Sequence, residues 1–153
     1  MKTRILAVGV SFLVAVAILA QTGDTKKAAI MPAADLKWVD LAGGPPGVKI
    51  ADLWGDHTTG AHGSIHKFPA GFSAPLHTHT SDMRIVVISG TFIHTPEGKP
   101  AVRLGPGSYL MQPGGTYRHM SGCAAGAECV FFGESDGKFD LIMADAVKAQ
   151  EKM

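Results

Sequence analysis

An excess of charge of either sign is missing from this chain, whose 153 residues carry 14 Lys and Arg against 13 Asp and Glu. Nucleic-acid binding needs clustered positive charge, so this balance provides no electrostatic footprint for DNA or RNA. A phosphate-cradling glycine loop ending in Lys-Ser/Thr is missing as well, as is a His-Glu-x-x-His pair, and phosphoryl transfer has no basis in the sequence. Cysteine is scarce: Cys123 and Cys129 are the only two, and their spacing is not the Cys-x-x-Cys of a redox pair. Long apolar runs are scarce too. One stands at the start, from Ile5 to Ala20, broken only by Gly9 and Ser11.

That run follows Lys2 and Arg4 and is shorter than the roughly 20 residues a membrane-spanning helix needs. Small residues at Ala17 and Ala20 offer cleavage sites, so residues 1–20 read as a secretory signal peptide, with an uncleaved anchor as the alternative. Removing Lys2 and Arg4 leaves 12 basic residues against 13 acidic, a net charge of −1. The mature protein is expected in the periplasm or medium, free of the membrane. There Cys123 and Cys129 meet an oxidising environment and are expected to form a disulfide. The loop it closes is short, so its stabilisation falls below the roughly 3 kcal/mol of a 15-residue loop and is expected to staple one hairpin.

Residues 21–35 mix Lys, Thr, Asp, Ala and Pro without a period and read as a linker, leaving 36–153 as a single domain. Within it, apolar residues come in short runs: Trp38-Val39, Val48–Trp54, Ser64–Phe68, Arg84–Ile93, Ala101–Leu104, Tyr109–Met111, Val130–Phe132 and Phe139–Met143. Gly and Pro clusters such as Pro96-Glu-Gly98 and Gly105-Pro106-Gly107 separate them. Short strands at this spacing predict an all-β sandwich or barrel. The tail from Ala144 to Met153 is expected to form a short helix.

His77 and His79 are separated by one residue, which on an extended strand points both rings to one face. His119 follows the turn Pro113-Gly114-Gly115, where a returning strand can bring it opposite the pair. Three neutral imidazoles would hold a metal ion and leave positions open on it.

These residues carry a family resemblance. Gly71-x5-His77-x-His79-x3-Met83-x6-Gly90 resembles the first motif of the cupins, Gly-x5-His-x-His-x3,4-Glu-x6-Gly. Gly107-x5-Pro113-x-Gly115-x3-His119 is similar to the second, Gly-x5-Pro-x-Gly-x2-His-x3-Asn, with one extra residue before the histidine and Cys123 at the asparagine. The stretch from Leu53 to Phe92 resembles bacterial cupins related to the zinc-binding cupin of some anti-sigma factors. The resemblance implies a jelly-roll barrel, the double-stranded β-helix, with His77, His79 and His119 as ligands of one divalent ion: Zn, Fe(II), Mn, Ni or Cu.

Met83 departs from the family at its glutamate ligand, because a thioether is a poor ligand for hard cations. Asp82 is its neighbour on the strand and faces the other way. Some cupins, including thiol dioxygenases, work with three histidines alone, so a dioxygenase, isomerase or lyase acting on a small polar molecule stays open. A ligand-binding or metal-sensing module and a metal-free scaffold stay open beside it. Tyr117 and His66 are the candidates for proton handling, whereas His57, His62 and His94 sit among loop-like residues and are expected to be exposed. Met83, Ile85, Val87 and Ser89 should share the inner face of one strand, leaving Val86 and Ile88 outside as an apolar stripe that predicts a homodimer.

Overall fold

The chain divides into two compact units, Met1–Ile30 and Met31–Met153. The computed structural model describes residues 27–41 and 44–144. The expected signal peptide, most of the linker and all but the first residue of the expected tail helix lie outside them.

A short 3-10 turn, Ala33–Asp35, precedes eleven strands: β1 (Val39–Asp40), β2 (Lys49–Gly55), β3 (His62–Phe68), β4 (His77–Thr78), β5 (Met83–Ser89), β6 (Phe92–Pro96), β7 (Val102–Leu104), β8 (Tyr109–Gln112), β9 (His119–Cys123), β10 (Cys129–Ser135) and β11 (Ile142–Met143). They form two antiparallel sheets, ordered β1-β2-β3-β10-β5-β8 and β11-β4-β9-β6-β7. The alternation of apolar and polar residues fixes which face of each strand is buried. On β5, Met83, Ile85 and Val87 are buried while Val86 and Ile88 are exposed. Phe92 of the smaller sheet packs against Ile85, Val87 and Phe131 of the larger one. Phe68 adjoins this cluster and a second one of Leu41, Val48 and Ile50.

Three expectations change. The run Arg84–Ile93 is two strands, not one, because Gly90 turns the chain at φ +76°, where an added Cβ would meet the Glu128 carbonyl. Ser89 is exposed instead of inward, because the register between β5 and β10 shifts between Val130 and Phe131, and the bulge ends the alternation there. The disulfide Cys123–Cys129 forms, but it is not a hairpin staple. It joins the end of β9 to the start of β10, which belong to different sheets, and so ties the two layers at a corner.

Candidate metal centre

The three motif histidines converge although one comes from a two-residue strand and another lies just outside it. His77 lies on β4 and pairs in register with His119 at the start of β9, which places the two rings 4.4 Å apart between centroids. His79, just beyond β4, completes the group with its ring 5.0 Å from that of His77 and 5.3 Å from that of His119. One ring nitrogen from each lies within 4.8 Å of the others, and all three residues are buried.

Hydrogen bonding decides which nitrogens face the centre. Nδ1 of His77 lies 2.6 Å from the Pro75 carbonyl, Nδ1 of His79 lies 2.5 Å from that of Asp140, and Nδ1 of His119 lies 3.1 Å from that of Tyr117. A carbonyl only accepts, so each Nδ1 carries the proton and each Nε2 keeps its lone pair. This is the arrangement in which metal-bound histidines are held by their outer partners. Nε2 of His119 is buried without a hydrogen-bond partner, the kind of orphan a bound ion would satisfy. Burial pushes the imidazolium of His77 down to about 4 and that of His119 to about 3, against an opposing pull from their carbonyl partners. Burial lowers His79 as well. All three are therefore neutral at neutral pH, as ligands must be. The donor set fits a divalent ion of the borderline class.

Among the described residues no carboxylate joins them. Met83 occupies the inner face of β5, and Asp82 turns away to accept the Gly114 amide proton at 2.8 Å. Arg84 and Arg118 likewise face outward, paired with Asp136 and Glu97 at 3.2 Å each.

Tyr117 precedes β9 instead of lying on it, yet its ring sits 5.3 Å from that of His119. His66 is buried on β3, stacked on Phe131 at 4.9 Å, with Nε2 2.8 Å from Ser64 Oγ. It lies outside the group of three. Burial, reinforced by His62, lowers it to about 3.

The expected exposure of His57, His62 and His94 is overturned: all three are buried. His94 matters most. It projects inward from β6 two residues after Phe92, its ring is 5.0 Å from that of His119, and Nε2 lies 2.8 Å from the Tyr117 hydroxyl. The Gln112 amide nitrogen donates to its Nδ1 at 3.3 Å, so Nε2–H donates to the phenol oxygen. The alternation Phe92-x-His94 was the signal that could have found it. The same period, His62-x-Ser64-x-His66, turns His62 into β3. His57 is drawn in by Asp52, whose Oδ2 accepts from Nδ1 at 2.8 Å.

Gly133-Glu-Ser135-Asp-Gly137 has the spacing of a serine nucleophile elbow. Ser135 is buried at the end of β10, its Oγ accepts the Gly137 amide proton at 3.3 Å, and the residues directly after it, up to Met143, form no helix. The strand-to-helix turn that exposes a nucleophile is not formed here.

Beside His77 and His79 lies a cavity of about 180 Å³ between the sheets, also bounded by His66, Met83, Phe131 and Phe139.

The two-sheet architecture with histidines converging at one end is that of the cupins. An RmlC-like cupin from Ralstonia eutropha JMP134 superposes with a TM-score of 0.62 at 19% identity, over 81% of this chain and 84% of its own. The DMSP lyase DddQ from Ruegeria pomeroyi DSS-3 gives 0.59 at 19% identity over 72% of this chain, which spans 62% of that enzyme's length. The structure of Rhodobacter sphaeroides SigE with the anti-sigma ChrR gives 0.53 at 23% identity, over 69% of this chain and 51% of the other. No curated protein matches the sequence. Residues 24–152 match the family described as a domain of unknown function, DUF4437, and the chain belongs to that family.

Proposed function

We propose that the protein is an exported, mononuclear metal-dependent cupin enzyme of the dioxygenase, isomerase or lyase type, with His77, His79 and His119 holding one divalent ion. The observation that carries this is the shared tautomer: three buried imidazoles each give Nδ1–H to a backbone carbonyl and keep Nε2 for the centre. Bound there, the ion would supply Lewis acidity at a site where no carboxylate among the described residues offsets its charge. Tyr117 is the proton-handling group. Its oxygen accepts from His94, which orients the phenol and leaves its own O–H free to donate. His66 lies too far out to be a ligand and contributes a neutral imidazole to the cavity wall.

Met83 favours a second reading, a metal-binding module without turnover, because the family's carboxylate is replaced by a thioether. Elemental analysis of tag-free protein from the periplasm, beside a His77→Ala/His119→Ala control, tests the site. Near-stoichiometric metal lost in the control supports it. An empty protein after reconstitution with zinc, iron(II), manganese, nickel and copper contradicts it.

Export rests on residues 1–20, and N-terminal sequencing of the periplasmic protein tests the cleavage. Among the described residues no helix is long and apolar enough to cross a membrane. Homodimer formation is supported by an apolar stripe on the outer face of β5 and β8, where Val86 pairs with Tyr109 and both are exposed beside Ile88 and Met111. A monomer mass in solution would refute it.

A further inference from the structure

The cavity beside the histidines is not suited to the small polar molecule that the sequence suggests. Of the seven phenylalanines in the chain, Phe68, Phe72, Phe92, Phe131 and Phe139 line it. Leu41, Val48, Ile85, Leu141 and Met143 extend the apolar wall. Among the described residues no Asp, Glu, Lys or Arg reaches it, and its polar groups are three histidines, Gln112 and Ser121. A sugar or other polyol would exchange many hydrogen bonds with water for few here, at a cost of roughly 1–3 kcal/mol for each polar group left unpaired. A cationic ligand would find no carboxylate.

The volume narrows the choice further. A dry apolar cavity of about 150 Å³ takes one benzene ring. At about 180 Å³ this one has room for a single ring with a short substituent. His77 and His79 are among the lining residues, so part of the boundary is polar while most of it is apolar.

We propose that the cavity binds a one-ring, apolar organic acid or phenol, with its ring among the phenylalanines and its single acidic group turned toward His77 and His79. The placement of the acidic group rests on the metal reading above, whereas the preference for an apolar ring rests on the cavity wall alone. Among the described residues no charged side chain lining the cavity offers the acid another anchor.

Isothermal titration of the mature protein, with and without one equivalent of zinc, tests this with benzoate, acetate, benzyl alcohol and benzylammonium as probes. Benzoate should bind the zinc form at least tenfold more tightly than acetate, since each buried CH2-sized increment is worth about a fourfold change. It should also lose at least tenfold when zinc is withheld, while benzyl alcohol binds both forms alike and benzylammonium is rejected. Ala74→Phe, which fills the cavity from its wall, should abolish benzoate binding with zinc uptake intact. Leu141→Trp, at the half-buried rim, serves the same purpose if Ala74→Phe does not fold.

Acetate equal to benzoate, or benzylammonium equal to benzoate, would overturn the ligand class while zinc uptake leaves the metal site standing. Failure to take up zinc, iron(II), manganese, nickel or copper overturns the metal reading and the acidic head group with it. Benzyl alcohol failing to bind either form removes the ring as well.

Discussion

Two sets of buried histidines lie side by side in this barrel, and what their ring nitrogens touch separates them. His77, His79 and His119 each give Nδ1–H to a backbone carbonyl, which fixes tautomer and direction without spending the second nitrogen. His94 has both nitrogens engaged by side chains, Gln112 and Tyr117, and His66 binds Ser64 through Nε2. Burial is nearly the same in both sets. A buried histidine is therefore a candidate ligand when its outer nitrogen is held by the main chain, its inner one is left without a partner and two more such nitrogens lie beside it; His62, held by the Gly60 and Gly137 carbonyls with Nε2 unpartnered, meets the first two conditions and fails the third.

The largest effect that sharpens this contrast is metal loss. His119→Ala should abolish stoichiometric metal uptake, whereas His66→Gln should retain it, as measured by metal content after equal reconstitution. If His66→Gln lost the metal as completely, the distinction between the two sets would fail.

Stability against pH comes next, measured by denaturant unfolding of the metal-free protein. His66, His77 and His119 titrate near 6.5 when unfolded and near 3 to 4 when folded, so between those values the unfolded chain binds more protons. Their contribution is whole above pH 6.5 and is lost progressively as pH falls toward 3, by at most about 1.4 kcal/mol per unit for each histidine. A stability independent of pH across 6.5 to 4 would contradict their buried, neutral state.

The disulfide gives a smaller effect, remote from the histidines. Replacing Cys123 and Cys129 together by Ser should cost about 2 kcal/mol on the chain-entropy account. Metal content should not change, because the bond ties a corner between sheets. Tyr117→Phe should be smaller still. It removes the acceptor of the His94 bond, costs about 1 kcal/mol in thermal or denaturant unfolding, and leaves metal stoichiometry intact.

Much of the site was legible because its signals are local. The spacing His77-x-His79 and the turn before His119 set the triad, and the alternation on Met83, Ile85 and Val87 set the inner face of β5. What was not legible depends on pairing between distant strands. β4, two residues long, is too short to announce itself and is held between β9 and β11, while β9 is set by five pairs with the distant β6. His94 looked loop-like beside Pro96 and Gly98, but β6 holds it between β7 and β9. The apolar lining of the cavity could not be anticipated from the triad, since its phenylalanines come from β3, β6, β10 and the loops after β3 and β10.

The most direct test of the central claim is X-ray absorption at the zinc edge on protein loaded with one equivalent. The account predicts three imidazole nitrogens at about 2.0–2.1 Å, with oxygen completing the shell and no sulfur. A sulfur neighbour, or fewer than three imidazoles, would contradict it.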